Sequence, residues 1–164
     1  MPAGVSAYTA LANVTLGSSA ASVTFSSISQ AYRDLVLVST GTATSNSWQV
    51  SMRFNSDSGS NYTDVYMLGT GSSALSASGT FSAIDISFFR SSVTSGATNI
   101  FDYSATNKHK TLLTRYDNAS DATVARASRW ANTAAITSFV LFNGSGGSEQ
   151  FAAGTTFALY GVSA

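Results

Sequence analysis

The chain contains no cysteine, so neither a disulfide framework nor a thiolate metal site can hold it together. It has a single proline and a single histidine, which leaves no proline-built linker and no His-rich ligand set. Charge is scarce too: charged residues make up 10% of the chain, against about 25% in typical soluble domains. Eight basic side chains balance eight acidic ones, and they are scattered, so no electrostatic footprint for nucleic acid or an anionic membrane exists. No apolar run approaches the roughly 18 residues of a membrane-spanning helix. The opening "MPAGVSAYTALANVTL" has neither the basic start nor the unbroken apolar stretch of a signal peptide. The expectation is a protein made and used without crossing a membrane by the usual route.

What is present is hydrophobic residue at 44% of 164 positions, enough for one core and too little chain for two ordinary domains. The polar surface must come from hydroxyls, in runs such as "SSAASVTFSSIS" and "GTGSSALSASGT". Ser and Thr tolerate strands and bond readily to nearby backbone. A surface that is polar but uncharged repels its neighbours weakly, which suits a protein packed against other protein.

Helical periodicity is missing, whereas alternation of period two recurs along the chain. In "WQVSMRFN", Trp48, Val50, Met52 and Phe54 alternate with Gln49, Ser51, Arg53 and Asn55, the pattern of a half-buried antiparallel strand with Trp48 on its core side. Further strands are predicted near Val23 to Ser27, Asp34 to Thr40, Asn61 to Leu68, Phe81 to Phe89, Asn99 to Tyr103, Lys110 to Tyr116, Thr137 to Phe142 and Thr155 to Val162, with another inside Ala122 to Ile136. The separators, among them "NSDSGSN", "GTGSSALSASG" and "NGSGGSEQ", are Gly/Ser/Asn-rich turn material. Roughly nine or ten short strands at this spacing predict an all-β single antiparallel β-sandwich of jelly-roll type over residues 17–164, preceded by an N-terminal segment, 1–16, packed on a partner.

Three strands are apolar on both faces: "DLVLVST", "SFVLFN" and "TFALYG". One face fills the core; the other needs a cover from a loop, the N-terminal segment or another subunit. In the last of these, Tyr160 and Val162 point opposite to Phe157 and Leu159, with Gly154 making the preceding turn.

Chemistry-bearing constellations are few. His109, in "NKHKT", has no nucleophile-elbow motif to serve and reads as a surface-loop residue. The acids Asp34, Asp57, Asp64, Asp85, Asp102, Asp117, Asp121 and Glu149 would support glycoside hydrolysis only if two of them met across a cleft. "NSDSGSNYTD" alternates oxygen-bearing side chains around a glycine as hard-cation loops do, which makes Asp57 and Asp64 calcium candidates, with an Asx-rich hairpin turn as the alternative. "RASRW" offers Arg126, Arg129 and Trp130 for a subunit contact, with Trp130 as an exposed ring. Tyr160 is a fourth contact candidate.

Three blocks, the opening hairpin ending in "YRDLVLV", the turn "RFNSDSGSNY" and the closing "FAAGTTFALYG", together resemble virion structural proteins of tailed bacteriophages, notably phages of cyanobacteria and marine bacteria. The resemblance implies a non-enzymatic component of the phage particle, made in the host cytoplasm, with no cofactor and no catalytic residues. It implies a capsid decoration or cement protein that stabilises the head by binding neighbouring subunits of the major capsid protein, as a homo-oligomer with a trimer favoured. A tail-fibre or receptor-binding module recognising host glycans is the alternative; a stand-alone domain beginning at its own Met1 fits a decoration protein better than a fibre that needs a shaft.

Overall fold

The computed structural model describes residues 7–45, 48–117, 122–144 and 149–163. Its strands are β1 (Tyr8–Thr15), β2 (Ser22–Phe25), β3 (Asp34–Gly41), β4 (Trp48–Phe54), β5 (Tyr62–Gly69), β6 (Ala74–Phe81), β7 (Ile84–Phe89), β8 (Thr94–Phe101), β9 (Lys110–Asp117), β10 (Thr123–Trp130), β11 (Phe139–Asn143) and β12 (Thr156–Val162). No helix occurs among the described residues. Eight strands form one antiparallel sheet in the order β1-β12-β3-β8-β9-β10-β5-β6, and four form a second in the order β2-β11-β4-β7.

The alternation read in β4 is observed, with Val50, Met52 and Phe54 in the core, and β9 and β10 alternate as well. In β9, Lys110, Leu112, Thr114 and Tyr116 are buried while the residues between them are exposed; in β10, Val124, Arg126, Ser128 and Trp130 take the inner side. The inward residues of β3 and β12, Leu35, Leu37, Phe157 and Leu159, meet Val50, Met52 and Phe54 of β4 and Phe139 and Leu141 of β11 in one core. Side chains of this kind contribute roughly 1.5–3 kcal/mol each on full burial. Two aromatic clusters anchor its ends: Phe151 lies 5.1 Å from Phe157 and 5.9 Å from Phe89, and Phe54 lies 5.4 Å from Trp130. The ring of Trp48, expected in the core, lies outside the described residues.

Without β5–β6 and β9–β10, eight strands remain as β1-β12-β3-β8 over β2-β11-β4-β7. The chain then crosses between sheets at every connection except β4 to β7. The two extra hairpins both extend the larger sheet past the smaller one, so β6 is exposed along almost its whole length.

Twelve strands stand among the described residues where nine or ten were expected, and the differences have physical causes. Tyr8–Thr15, assigned to a separate N-terminal segment, pairs with β12 as the edge of the large sheet. β6 lies in the "GTGSSALSASG" stretch taken for a turn: exposed on both faces, it needs no apolar alternation, and "ALSASGTF" shows none. β8 begins five residues before its predicted start because its inner face uses small and hydroxyl residues. Gly96 fits beneath the Tyr116 side chain and the Ile86 carbonyl, and Thr98 bonds Thr114 at 3.1 Å. The chain turns into β12 at Gly154, whose φ of 84° lies in the left-handed region that favours glycine.

Candidate functional site

Two surfaces and one buried network could carry function. The first surface is the outward face of the large sheet. One cross-strand row runs Ala10, Tyr160, Val36, Asn99, Leu113, Ala127, Val65, Ser78, and spans all eight strands. The next runs Ala158, Val38, Ala97, Arg115, Ala125, Met67, Ser76. Arg115 is the sole charge in the two rows. Strands about 4.8 Å apart and rows about 7 Å apart make this stripe on the order of 400–500 Å², the size at which an apolar patch on a monomer carries meaning.

Val65 is 53% exposed, Met67 64% and Leu113 51%, values that a face covered within its own chain would not show. The sheet also dips here: a hollow of about 420 Å³ has Val65, Phe101, Leu113, Ala127 and Arg129 among its walls. Arg129 and Tyr160, two of the contact candidates, thus face outward on this side. Tyr160 is half-buried between Ala10 and Val36.

The other two candidates are corrected by the structure. Trp130 is not an exposed ring: it is 1% exposed, lies 5.4 Å from Phe54, and its Nε1 donates to Asp57 Oδ2 at 2.7 Å. Arg126 is not at the surface either. Its guanidinium is buried between the sheets, bonded to Asp64, 3.5 Å from Asp85, and 4.7 Å from the centre of the Tyr66 ring, while Nε donates to the Tyr116 hydroxyl at 3.2 Å. Ser128 donates to Asp64 at 3.1 Å and Ser51 to Asp85 at 2.8 Å. Burial pushes the Asp85 carboxyl above the usual carboxylate range, against the pull of Arg126 and the Ser51 hydroxyl. It likewise raises Tyr116, again opposed by Arg126.

The calcium pairing of Asp57 with Asp64 is not assembled. Asp64 is committed to Arg126 and Ser128 inside the sandwich. Asp57 accepts from Trp130, from Asn61 Nδ2 at 3.0 and 3.1 Å and from the Gly59 N–H at 2.9 Å, so the loop is an Asx-tied turn. These donors, Trp130 foremost, hold the Asp57 carboxyl below its ordinary range. The Tyr62 hydroxyl closes the same turn, donating to the Asp57 carbonyl at 2.9 Å and accepting from the Phe54 N–H at 3.1 Å; burial pushes its pKa up to about 12. No cluster of three or more His, Asp or Glu side chains suited to a metal ion occurs among the described residues. His109 is exposed, and Asp121 lies outside the described residues.

The second surface is a cleft of about 400 Å³ on the outside of the smaller sheet, with Gln49, Ser51, Arg53, Phe81, Asp85 and Phe142 among its walls. Arg53 stacks on Phe142 at 4.6 Å and its Nε donates to the Ser82 carbonyl at 2.9 Å, so the cation is held flat along one side. Asp85, with 26% of its side chain exposed, joins this cleft to the buried network. Sequence reasoning did not single out the cleft, because its walls come from four separate strands, β4, β6, β7 and β11, and the turn after β6.

No family model, curated protein or solved structure matches the chain.

Proposed function

We propose that the chain is a non-enzymatic structural protein of a bacteriophage particle, a decoration or cement protein of jelly-roll type that docks on neighbouring capsid subunits through the outward face of its large sheet. The observation that carries the docking is the two-row stripe, which leaves Val65, Met67 and Leu113 in solvent with Arg115 as its one charge. Support for the jelly roll is the β1-β12-β3-β8 over β2-β11-β4-β7 order, with two inserted hairpins. The assignment to a phage rests on the three resembling sequence blocks. A binding rather than chemical role is favoured by the commitment of Asp64 to Arg126, which leaves Asp85 as the carboxylate of that pair facing a cleft.

Particles assembled without the chain should lose resistance to heat and osmotic shock, and added wild-type chain should restore it. Leu113→Glu places a carboxylate in the centre of the stripe at an exposed position, where surface substitutions change stability by no more than about 0.5 kcal/mol. The variant should therefore melt like the wild type and fail to restore the particles. Restoration by Leu113→Glu at wild-type concentration would count against docking through this face.

The cleft favours a second reading, a tail module that recognises a host glycan. Phe81, 49% exposed, offers a face for a sugar ring, while Asp85 and Gln49 offer acceptors and donors for its hydroxyls. Glycan-array binding lost on Phe81→Ala, with no affinity for capsids, would favour this reading over the first.

A further inference from the structure

Sheet edges expose unpaired N–H and C=O groups, and soluble proteins guard them with charge, proline, bulges or brevity. Three of the four edges here are guarded. β2 has four residues. β1 carries a register shift at Ala10/Ala12, and the pairing of β7 shifts at Val50/Ser51. β6 has none of these devices. Its eight residues, "ALSASGTF", contain no charge and no proline, pair with β5 from Tyr62↔Phe81 to Gly69↔Ala74 without a shift, and are exposed at every position except Gly79, which is partly buried. Among the described residues nothing pairs with its free side.

We infer that β6 is an assembly edge, and that its occupant is β6 of a second copy in antiparallel register about a two-fold axis at Ser78. The axis must keep like faces together, which requires each residue to meet a residue of the same parity. Centred on Ser78, the pairs are Leu75 with Phe81, Ser76 with Thr80, Ala77 with Gly79 and Ser78 with its own counterpart. The sequence is complementary to itself in this register. On the side shared with Leu68 and Tyr62, which pair with Leu75 and Phe81 within the chain, each end of the junction gains an aliphatic–aromatic pair. On the other side the junction is a ladder of hydroxyls. Both are favourable cross-strand pairings. The hydroxyl ladder lies on the same face as Val65 and Met67, which pair with Ser78 and Ser76 one strand from the junction, so the joined sheet presents the two copies' outward faces on one side.

The pairing is isologous and closes as a dimer, a different assembly from the trimer expected by resemblance, and it does not depend on the phage reading. Light scattering and sedimentation of the purified chain over a concentration series should show a dimer. Ser78→Lys sets two lysines face to face at the axis and should weaken that dimer about tenfold or more while the melting temperature of the monomer stays the same. Ser78→Glu should do likewise, and an equimolar mixture of the two variants should recover a heterodimer. Should Ser78→Lys fail to fold, Ser76→Lys/Thr80→Lys tests the same register, since Ser76→Lys/Thr80→Glu must then dimerise and the double lysine must not. A wild-type chain that stays monomeric to its solubility limit, a trimer, or a dimer indifferent to these charges would overturn the inference.

Discussion

Replacing Arg126 with methionine should destabilise the fold by about 3–5 kcal/mol, the range found when one partner of a buried ion pair is removed and the other is left uncompensated. Arg126 is bonded to Asp64 where both side chains are under 10% exposed, at 7% and 3%, and it also faces Asp85 at 3.5 Å. Methionine keeps most of the volume, so the loss is electrostatic. Neutralising the stranded partner should reverse part of it: in the Arg126→Met background, Asp64→Asn should recover about 1–3 kcal/mol, a coupling typical of residues in one network. The deficit should also depend on pH. Burial holds the Asp85 carboxyl above its ordinary range against the pull of Arg126, so without Arg126 its protonation favours folding. The gap between variant and wild type should be widest at neutral pH and narrow as pH falls through the raised folded value of Asp85 toward about 4. Urea titrations at pH 7 and pH 4.5 would measure both effects. Equal deficits at the two pH values would show that the loss comes from packing.

The second large effect belongs to Trp130. Truncation to alanine at a 1% exposed position, beside Phe54 and Tyr62, should cost about 3–5 kcal/mol. Trp130→Phe separates the indole N–H from the ring's bulk. It removes the 2.7 Å bond to Asp57, and a hydrogen bond to a charged group contributes about 1.5–3 kcal/mol. Asp57 is held below its ordinary range by Trp130 first, so its contribution is full above the unfolded carboxylate pKa of about 3.9 and is lost as pH falls through the lower folded value. The Trp130→Phe deficit should accordingly be constant from neutral pH down to about 4.5 and shrink below about 4. Differential scanning calorimetry across that range checks it; a deficit that grows in acid would mean that the bond to Asp57 contributes little.

Much of the fold was legible because alternation at period two reflects burial on one side. β4 carries it plainly, and β3 and β12, read as apolar on both faces, lie inside their sheet with Val36, Val38 and Tyr160 outward. β6 was illegible because a strand exposed on both faces carries no burial signal. β8 was shortened because Gly96 packs tightly under Tyr116 and the buried Thr94 and Thr98 beside it carry no apolar signal. The faces of β10 could not be told apart from its own sequence. Val124, Arg126, Ser128 and Trp130 look no more interior than Thr123, Ala125, Ala127 and Arg129. What decides the matter is Asp64 one strand away and Asp57 in the preceding turn, acceptors that bury the Arg and the Trp. The outward stripe was legible only from β3 and β12; its centre, on β5, β9 and β10, depends on which face of β10 turns in.

Docking through that stripe is the central claim, and imaging purified particles to locate the chain tests it most directly. The account predicts copies distributed over the capsid with the outward face of the large sheet against capsid subunits and Val65, Met67 and Leu113 at the contact. Copies confined to the tail tip, or seated with that face toward solvent, would contradict it.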